Sequence, residues 1–163
     1  MARVREAPAG SRPATEIERV YREKGDRMWR AVLAFAGDRE VANEAVAEAF
    51  AQALRRGAEI RDVERWIWRV IFRLAAAEMK ERSRIVAGNL EGWYEMEQPA
   101  RELVTALARL PEKQRAAVVL HHAVGYSVRE IAGILGSTSA AVRMHLTRGR
   151  RRLRDLLTEE DDA

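Results

Sequence analysis

Apolar residues recur at three- and four-residue steps along most of this chain, interrupted by glycines, which predicts a succession of helices; strand-like alternation is scarce. Ile17, Val20, Tyr21, Met28, Val32 and Phe35 mark a first helix, opened by a Thr15–Glu18 capping box and closed by Gly37. Asp38 is placed to cap a second, in which Val41, Ala45, Ala49, Phe50, Ala53 and Leu54 recur until Gly57. A short loop then leads to Asp62, a third cap. The helix from Val63 to about Arg84 carries Trp66, Ile67, Val70, Ile71 and Leu74 as its core face. These helices make one compact unit over residues 15–84.

Residues 85–99 break the pattern with two glycines, a proline, three glutamates and no Lys or Arg, which marks a linker. A second unit follows over residues 100–158. Leu103, Leu107 and Leu110 share one helix, and Pro111 starts another through Val118, Val119 and Leu120. Residues 1–14, rich in Ala, Arg, Pro and Gly, read as a disordered tail, and residues 159–163 as an acidic one. The expected fold class is all-α: two small helical domains, a three-helix unit and a helix-turn-helix unit, joined by a short linker. Each alone is only marginally able to bury a core.

The stretch 127–153 is the most telling. Ser127 with Glu130 makes a capping box, Ile131, Ile134 and Leu135 share a face, and Gly136 supplies a left-handed stop. Thr138 or Ser139 can cap the next helix, whose inner stripe is Val142, Leu146, Gly149 and Leu153. Ala140, Arg143, Thr147, Arg148 and Arg151 fall on its outer side. This is the form of a helix-turn-helix whose second helix enters a DNA groove. A solvated helical hairpin is the plainer alternative. Against it, residues 137–154 hold Arg143, Arg148, Arg150, Arg151, Arg152 and Arg154 and no acid.

Charge sharpens the picture. The chain has 163 residues and a net charge of only +4, but the charge is unevenly placed. Residues 101–154 carry eleven Lys or Arg (101, 109, 113, 115, 129, 143, 148, 150, 151, 152, 154) against three Glu (102, 112, 130), which points to a polyanionic partner. Without cysteine there is no disulfide or thiolate metal site, and without a long apolar run there is no membrane span or signal core; a cytoplasmic location is expected.

A second basic region lies on the third helix, where Arg65, Trp66, Trp68, Arg69, Phe72, Arg73, Lys80, Arg82 and Arg84 interleave aromatic rings with cations. Exposed rings beside cations stack unpaired bases, at roughly 1–3 kcal/mol each. Trp66 reads as core; Trp68 and Phe72, four residues apart on another face, fit either the core or a stacking platform. Catalysis finds no support. The histidines His121, His122 and His145 have no carboxylates at metal-ligand spacing, the adjacent pair points to different sides of a helix, and no phosphate loop or nucleophile elbow is present.

Taken together, these features resemble the extracytoplasmic-function (ECF) sigma factors of bacteria over roughly residues 15–158. In the second half the resemblance is carried by Leu110-Pro111-Glu112-Lys113-Gln114-Arg115, by Gly125-Tyr126-Ser127-Val128-Arg129-Glu130-Ile131-Ala132, and by Val142-Arg143 through Arg150-Arg151-Arg152-Leu153. In the first half Gly37-Asp38, Glu48-Ala49-Phe50 and Trp66-Ile67-Trp68-Arg69-Val70 carry it.

The resemblance implies a dissociable subunit of RNA polymerase, with no cofactor and no catalytic residue. Glu44 and Glu48 on the second helix would dock on the clamp helices of the core enzyme. Arg61, Trp68, Arg69, Phe72, Arg73 and Lys80 would hold the unpaired strand of the minus-ten element, offsetting a few kcal/mol of lost pairing. Glu91, Glu95 and Glu97 would let the linker mimic an acidic strand. Ser139, Arg143, Thr147 and Arg148 would read the minus-thirty-five duplex, with Arg151 beside them. Arg150 to Arg152 either meet phosphates or pack their stems on the domain. Further implied partners are the polymerase flap and an anti-sigma factor. The chain departs from the family pattern at Glu44 and Ala47, where Asp and Gln are usual, and at Arg73, where an asparagine commonly contacts a minus-ten base. Arginine stacks and binds phosphate but lacks an amide's paired donor and acceptor, so a relaxed minus-ten preference is expected. The alternatives are a helix-turn-helix regulator that never joins polymerase and a protein-interaction adaptor.

Overall fold

A computed structural model describes residues 12–85 and 97–161, and among these it contains seven α-helices and no strand. They are α1 (Arg12–Ala36), α2 (Arg39–Arg56), α3 (Val63–Ile85), α4 (Gln98–Ala108), α5 (Glu112–Val118), α6 (Val128–Leu135) and α7 (Ser139–Asp161). A short 3-10 turn, Gly57–Glu59, joins α2 to the loop before α3, and α5 widens into a π turn over Val119–Val124. Most of the linker, with Glu91 and Glu95, lies outside the described residues, as does the Arg84 side chain. Glu97 is exposed just ahead of α4.

Local chemistry sets most of the helix ends. Asp38 Oδ1 accepts the backbone N–H groups of Glu40 (2.8 Å) and Val41 (3.1 Å), and Asp62 Oδ1 accepts that of Arg65 (3.0 Å). The expected start of α1 is corrected. The helix begins at Arg12, so Thr15 lies inside its first turn and does not cap it; Pro13 suits such a start because its missing N–H has no partner to lose there. Residues 12–14 are thus helical, and α7 runs to Asp161.

One continuous apolar core runs through both halves. Helices α1, α2 and α3 pack through Ile17, Met28, Val32, Phe35, Val41, Ala49, Ile67 and Ile71, and α5, α6 and α7 through Ala117, Leu120, Ile131 and Val142. Burial of each larger apolar side chain contributes about 1.5–3 kcal/mol. Within the first half the Phe35 ring meets Phe72 at 4.9 Å, and between the halves the Trp68 ring meets Tyr126 edge-on at 5.8 Å. Arg115 of α5 is 8% exposed, donates from Nη1 to the Phe35 carbonyl (2.9 Å) and lies over the Phe35 ring. A cation from the second half thus satisfies a carbonyl in the last turn of α1, where the helix dipole favours positive charge.

The face of α3 is also corrected. Trp66, expected in the core, is only partly buried, and Arg56 lies over its ring. Trp68 and Phe72 are 1% and 5% exposed. The reason is tertiary: α3 is covered on two sides, by α1 and α2 on one and by α6 and Tyr126 on the other.

Candidate nucleic-acid interface

The helix-turn-helix is built by local hydrogen bonds. Ser127 Oγ accepts the Glu130 N–H (3.3 Å), and Glu130 Oε2 accepts the Ser127 backbone N–H (2.8 Å). Hydrogen bonds from the Ser127 hydroxyl and then from its backbone hold the Glu130 carboxyl below the usual carboxylate range. Gly136 stops α6 at φ +60°, in the left-handed region where a Cβ is strained. Thr138 Oγ1 accepts the Ala141 N–H (3.1 Å), so Thr138 is the cap and Ser139 opens α7, partly buried. Val142 and Leu146 bury the inner stripe. At Gly149 a Cβ would come within 2.8 Å of a Val118 methyl, so α7 crosses α5 at a distance only glycine allows.

On the outer side Ala140, Arg143, Thr147, Arg148 and Arg151 are all exposed. Arg143, Thr147 and Arg151, at four-residue steps, share one edge with Arg148 beside it. The edge is acid-free and long enough to lie along a groove.

The basic residues of α3 are arranged differently. Arg61, Arg69, Arg73 and Lys80 are exposed. Arg69, Arg73 and Lys80 line one wall of a cleft of about 480 Å³ between the halves, with Phe35 and Phe72 among its apolar lining residues. The opposite wall brings Lys113 and His145, which sequence reasoning missed. No local signal could have found them, because only the packing of the halves sets them opposite α3. Lys80 also pairs with Glu112 across the cleft at 3.7 Å. Trp68 and Phe72 do not form an open platform: Trp68 is packed under Tyr126, and Phe72 is buried at the edge of the cleft. Arg82 is engaged within the first half by Asp38 (2.9 Å), Glu40 (3.0 Å), Glu78 (3.0 Å) and Glu44 (3.8 Å).

Glu44 and Glu48 are both exposed on α2. Gln52 Nε2 and Arg55 Nη2 donate to Glu48 Oε1 at 2.9 and 2.7 Å, and these bonds, Gln52 first, hold its carboxyl below the usual range. The adjacent histidines do not diverge as expected. Their rings meet edge-on at 4.8 Å, because the wider π turn rotates successive residues by less than an α-helix does. Among the described residues no group of His, Asp and Glu could hold a metal ion, and no helix is long and apolar enough to cross a membrane.

Comparison with known proteins agrees with this construction. Residues 100–153 match the family "Sigma-70, region 4", a match that runs from α4 into α7 and takes in the helix-turn-helix. Over 158 residues the chain is 28% identical to the ECF RNA polymerase sigma factor SigE of Mycolicibacterium smegmatis, covering 87% of this chain and 62% of that protein. It therefore spans less than two thirds of SigE. It is also 28% identical to SigM of Mycobacterium tuberculosis, covering 91% of this chain and 80% of that one. The fold is similar to that of the sigma factor RpoE of Bartonella quintana, solved with the anti-sigma factor NepR (TM-score 0.72, 18% identity, 88% of this chain and 98% of that one). It is similar to CnrH, solved with the cytosolic domain of CnrY, to the same degree (TM-score 0.72, 19% identity, 89% of each chain). The capped helix with its acid-free outer edge thus lies inside the region 4 match, on a chain that is similar along most of its length to ECF sigma factors.

Proposed function

We propose that this chain directs RNA polymerase core to a subset of promoters and assists in opening them, without catalytic chemistry of its own. The observation that carries the proposal is the exposed, acid-free edge of α7 within a chain related to sigma factors along both halves. In this reading Ser139, Arg143, Thr147 and Arg148 face bases or backbone of the minus-thirty-five duplex, and Arg151 a phosphate. Arg61, Arg69, Arg73 and Lys80 attract the unpaired minus-ten strand, and Trp68 and Phe72, expected to stack on it, are buried and serve instead to hold α3 in place beneath these cations. Glu44 and Glu48 meet the polymerase clamp. RpoE and CnrH were solved with NepR and CnrY, and an anti-sigma partner is proposed here on that similarity. The working location is the cytoplasm, where core polymerase acts.

The test is capture of purified core polymerase by the tagged chain, followed by transcription from a duplex and a pre-melted promoter. Capture with start-specific transcription supports the reading. Duplex binding without core capture supports a plain helix-turn-helix regulator, and capture without initiation supports an adaptor.

A further inference from the structure

Much of what α7 turns outward is basic, but the centre of that face near the start of the helix is not. At about 100° per residue, Met144 and Thr147 straddle the midline of the outer face, and Arg143 and Arg148 flank it about 70° to either side. Ala140 lies beside Met144, one turn earlier. Met144 is 40% exposed, and Ala140 and Thr147 are exposed with it, whereas Val142, Leu146 and Gly149 on the opposite side are buried. A single exposed apolar side chain ordinarily carries no message. Tyr21, for instance, is 60% exposed yet sets its ring edge-on against Phe50. Met144 differs in place: it is directed away from the core, between two arginines, in a stretch (137–154) without an acid.

We propose that Met144, with Ala140 beside it, reads thymine: the duplex this chain prefers presents a thymine 5-methyl group to this point of α7. The inference rests on the proposed role of α7 in the major groove and names part of the sequence it seeks. In that groove the base pairs differ in their polar edges, and thymine alone adds a methyl group. The first turns of a recognition helix meet the base edges, and Ala140 and Met144 stand there. A thioether is a weak acceptor and no donor, so against the amino group of cytosine or adenine it would strip water without replacing the lost hydrogen bond. Against a methyl group it removes apolar surface from water on both sides. The unbranched, polarizable chain of methionine adapts to such a contact, and the small Ala140 lets the groove floor come close.

The test removes the methyl group and nothing else. The full chain bound to core polymerase selects duplexes from a random-sequence pool. Each thymine of the enriched sequence is then replaced in turn by deoxyuridine, which pairs with adenine in the same way. At one or two positions the parent chain is expected to lose affinity about three- to fivefold, the scale of one methyl group kept from water. Met144→Gln, similar in length but polar, should bind the thymine and deoxyuridine duplexes equally at those positions. Because Met144 lies away from the core, this variant should also unfold in urea at the parent's midpoint.

Unchanged affinity for every deoxyuridine duplex overturns the inference and leaves the reading of α7 standing. A methyl preference that Met144→Gln retains does the same, since another residue then makes the contact. A lowered unfolding midpoint overturns the outward placement of Met144. A pool in which no duplex is enriched overturns the duplex-reading role of α7, and this inference with it.

Discussion

On α7 the side chains proposed for DNA stand in solvent: Arg143, Thr147, Arg148 and Arg151 are all exposed, and their positions follow from helical spacing alone. On α3 the cations are exposed but the aromatic rings are not, because Trp68 lies under Tyr126 of the second half and Phe72 packs on Phe35 of α1. The difference separates two kinds of site. A duplex reader can stay open, since arginines lose nothing in water. A base-stacking surface is apolar, and an unoccupied apolar surface draws a cover.

Variants on the two helices should therefore fail in different ways. The largest effect is expected at Trp68, where replacement by Ala leaves a cavity in the shared core and lowers stability by about 3–5 kcal/mol, measured by urea unfolding. Gly149→Val comes next: the added atoms meet Val118 and should destabilise the second half by about 1–3 kcal/mol. If either variant is as stable as the parent, the packing described for that helix is wrong.

Arg143→Ala should behave in the opposite way, leaving stability within about 0.5 kcal/mol while reducing discrimination between promoter sequences by about 1–3 kcal/mol. Arg151→Ala should weaken all duplexes alike and reduce the slope of log affinity against log salt by about one unit. Indistinguishable behaviour of the two variants in salt-titrated binding would remove the division between base and phosphate contacts.

The smallest effect concerns the joint and depends on pH. Burial pushes the Glu64 carboxyl up, but hydrogen bonds from Lys24 and Tyr126 outweigh it and hold the group below the usual carboxylate range. A carboxyl lowered on folding stabilises fully above its unfolded pKa, and that contribution is lost as pH falls through its folded pKa. At neutral pH Glu64→Gln should lower stability by about 1–2 kcal/mol. The gap in Tm between parent and variant should close as pH falls below the ordinary glutamate range. A gap that widens in acid would contradict the ion-pair assignment.

What could be read from sequence was what short-range chemistry decides. Asp38, Asp62 and the Ser127–Glu130 box act between residues two or three apart, and each caps its helix as expected. Gly136 is equally local, since its backbone angle alone demands glycine. Thr15–Glu18 has the same spelling as the Ser127 box yet sits inside a helix, because α1 starts a turn earlier, next to Pro13. Trp66 and Trp68 were not separable by periodicity, since α3 packs on two sides and its hydrophobic pattern matches more than one face. Lys113, His145, Glu64 and Tyr126 acquire their neighbours only from the meeting of the halves, a long-range fact that no local spacing encodes.

The most direct test of the account is permanganate reactivity of thymines on a promoter bound by core polymerase and this chain. The account predicts reactive thymines around the minus-ten position that require both proteins and fade in the Arg69→Ala/Arg73→Ala double variant. Thymines that stay unreactive although chain and core are both bound would contradict it.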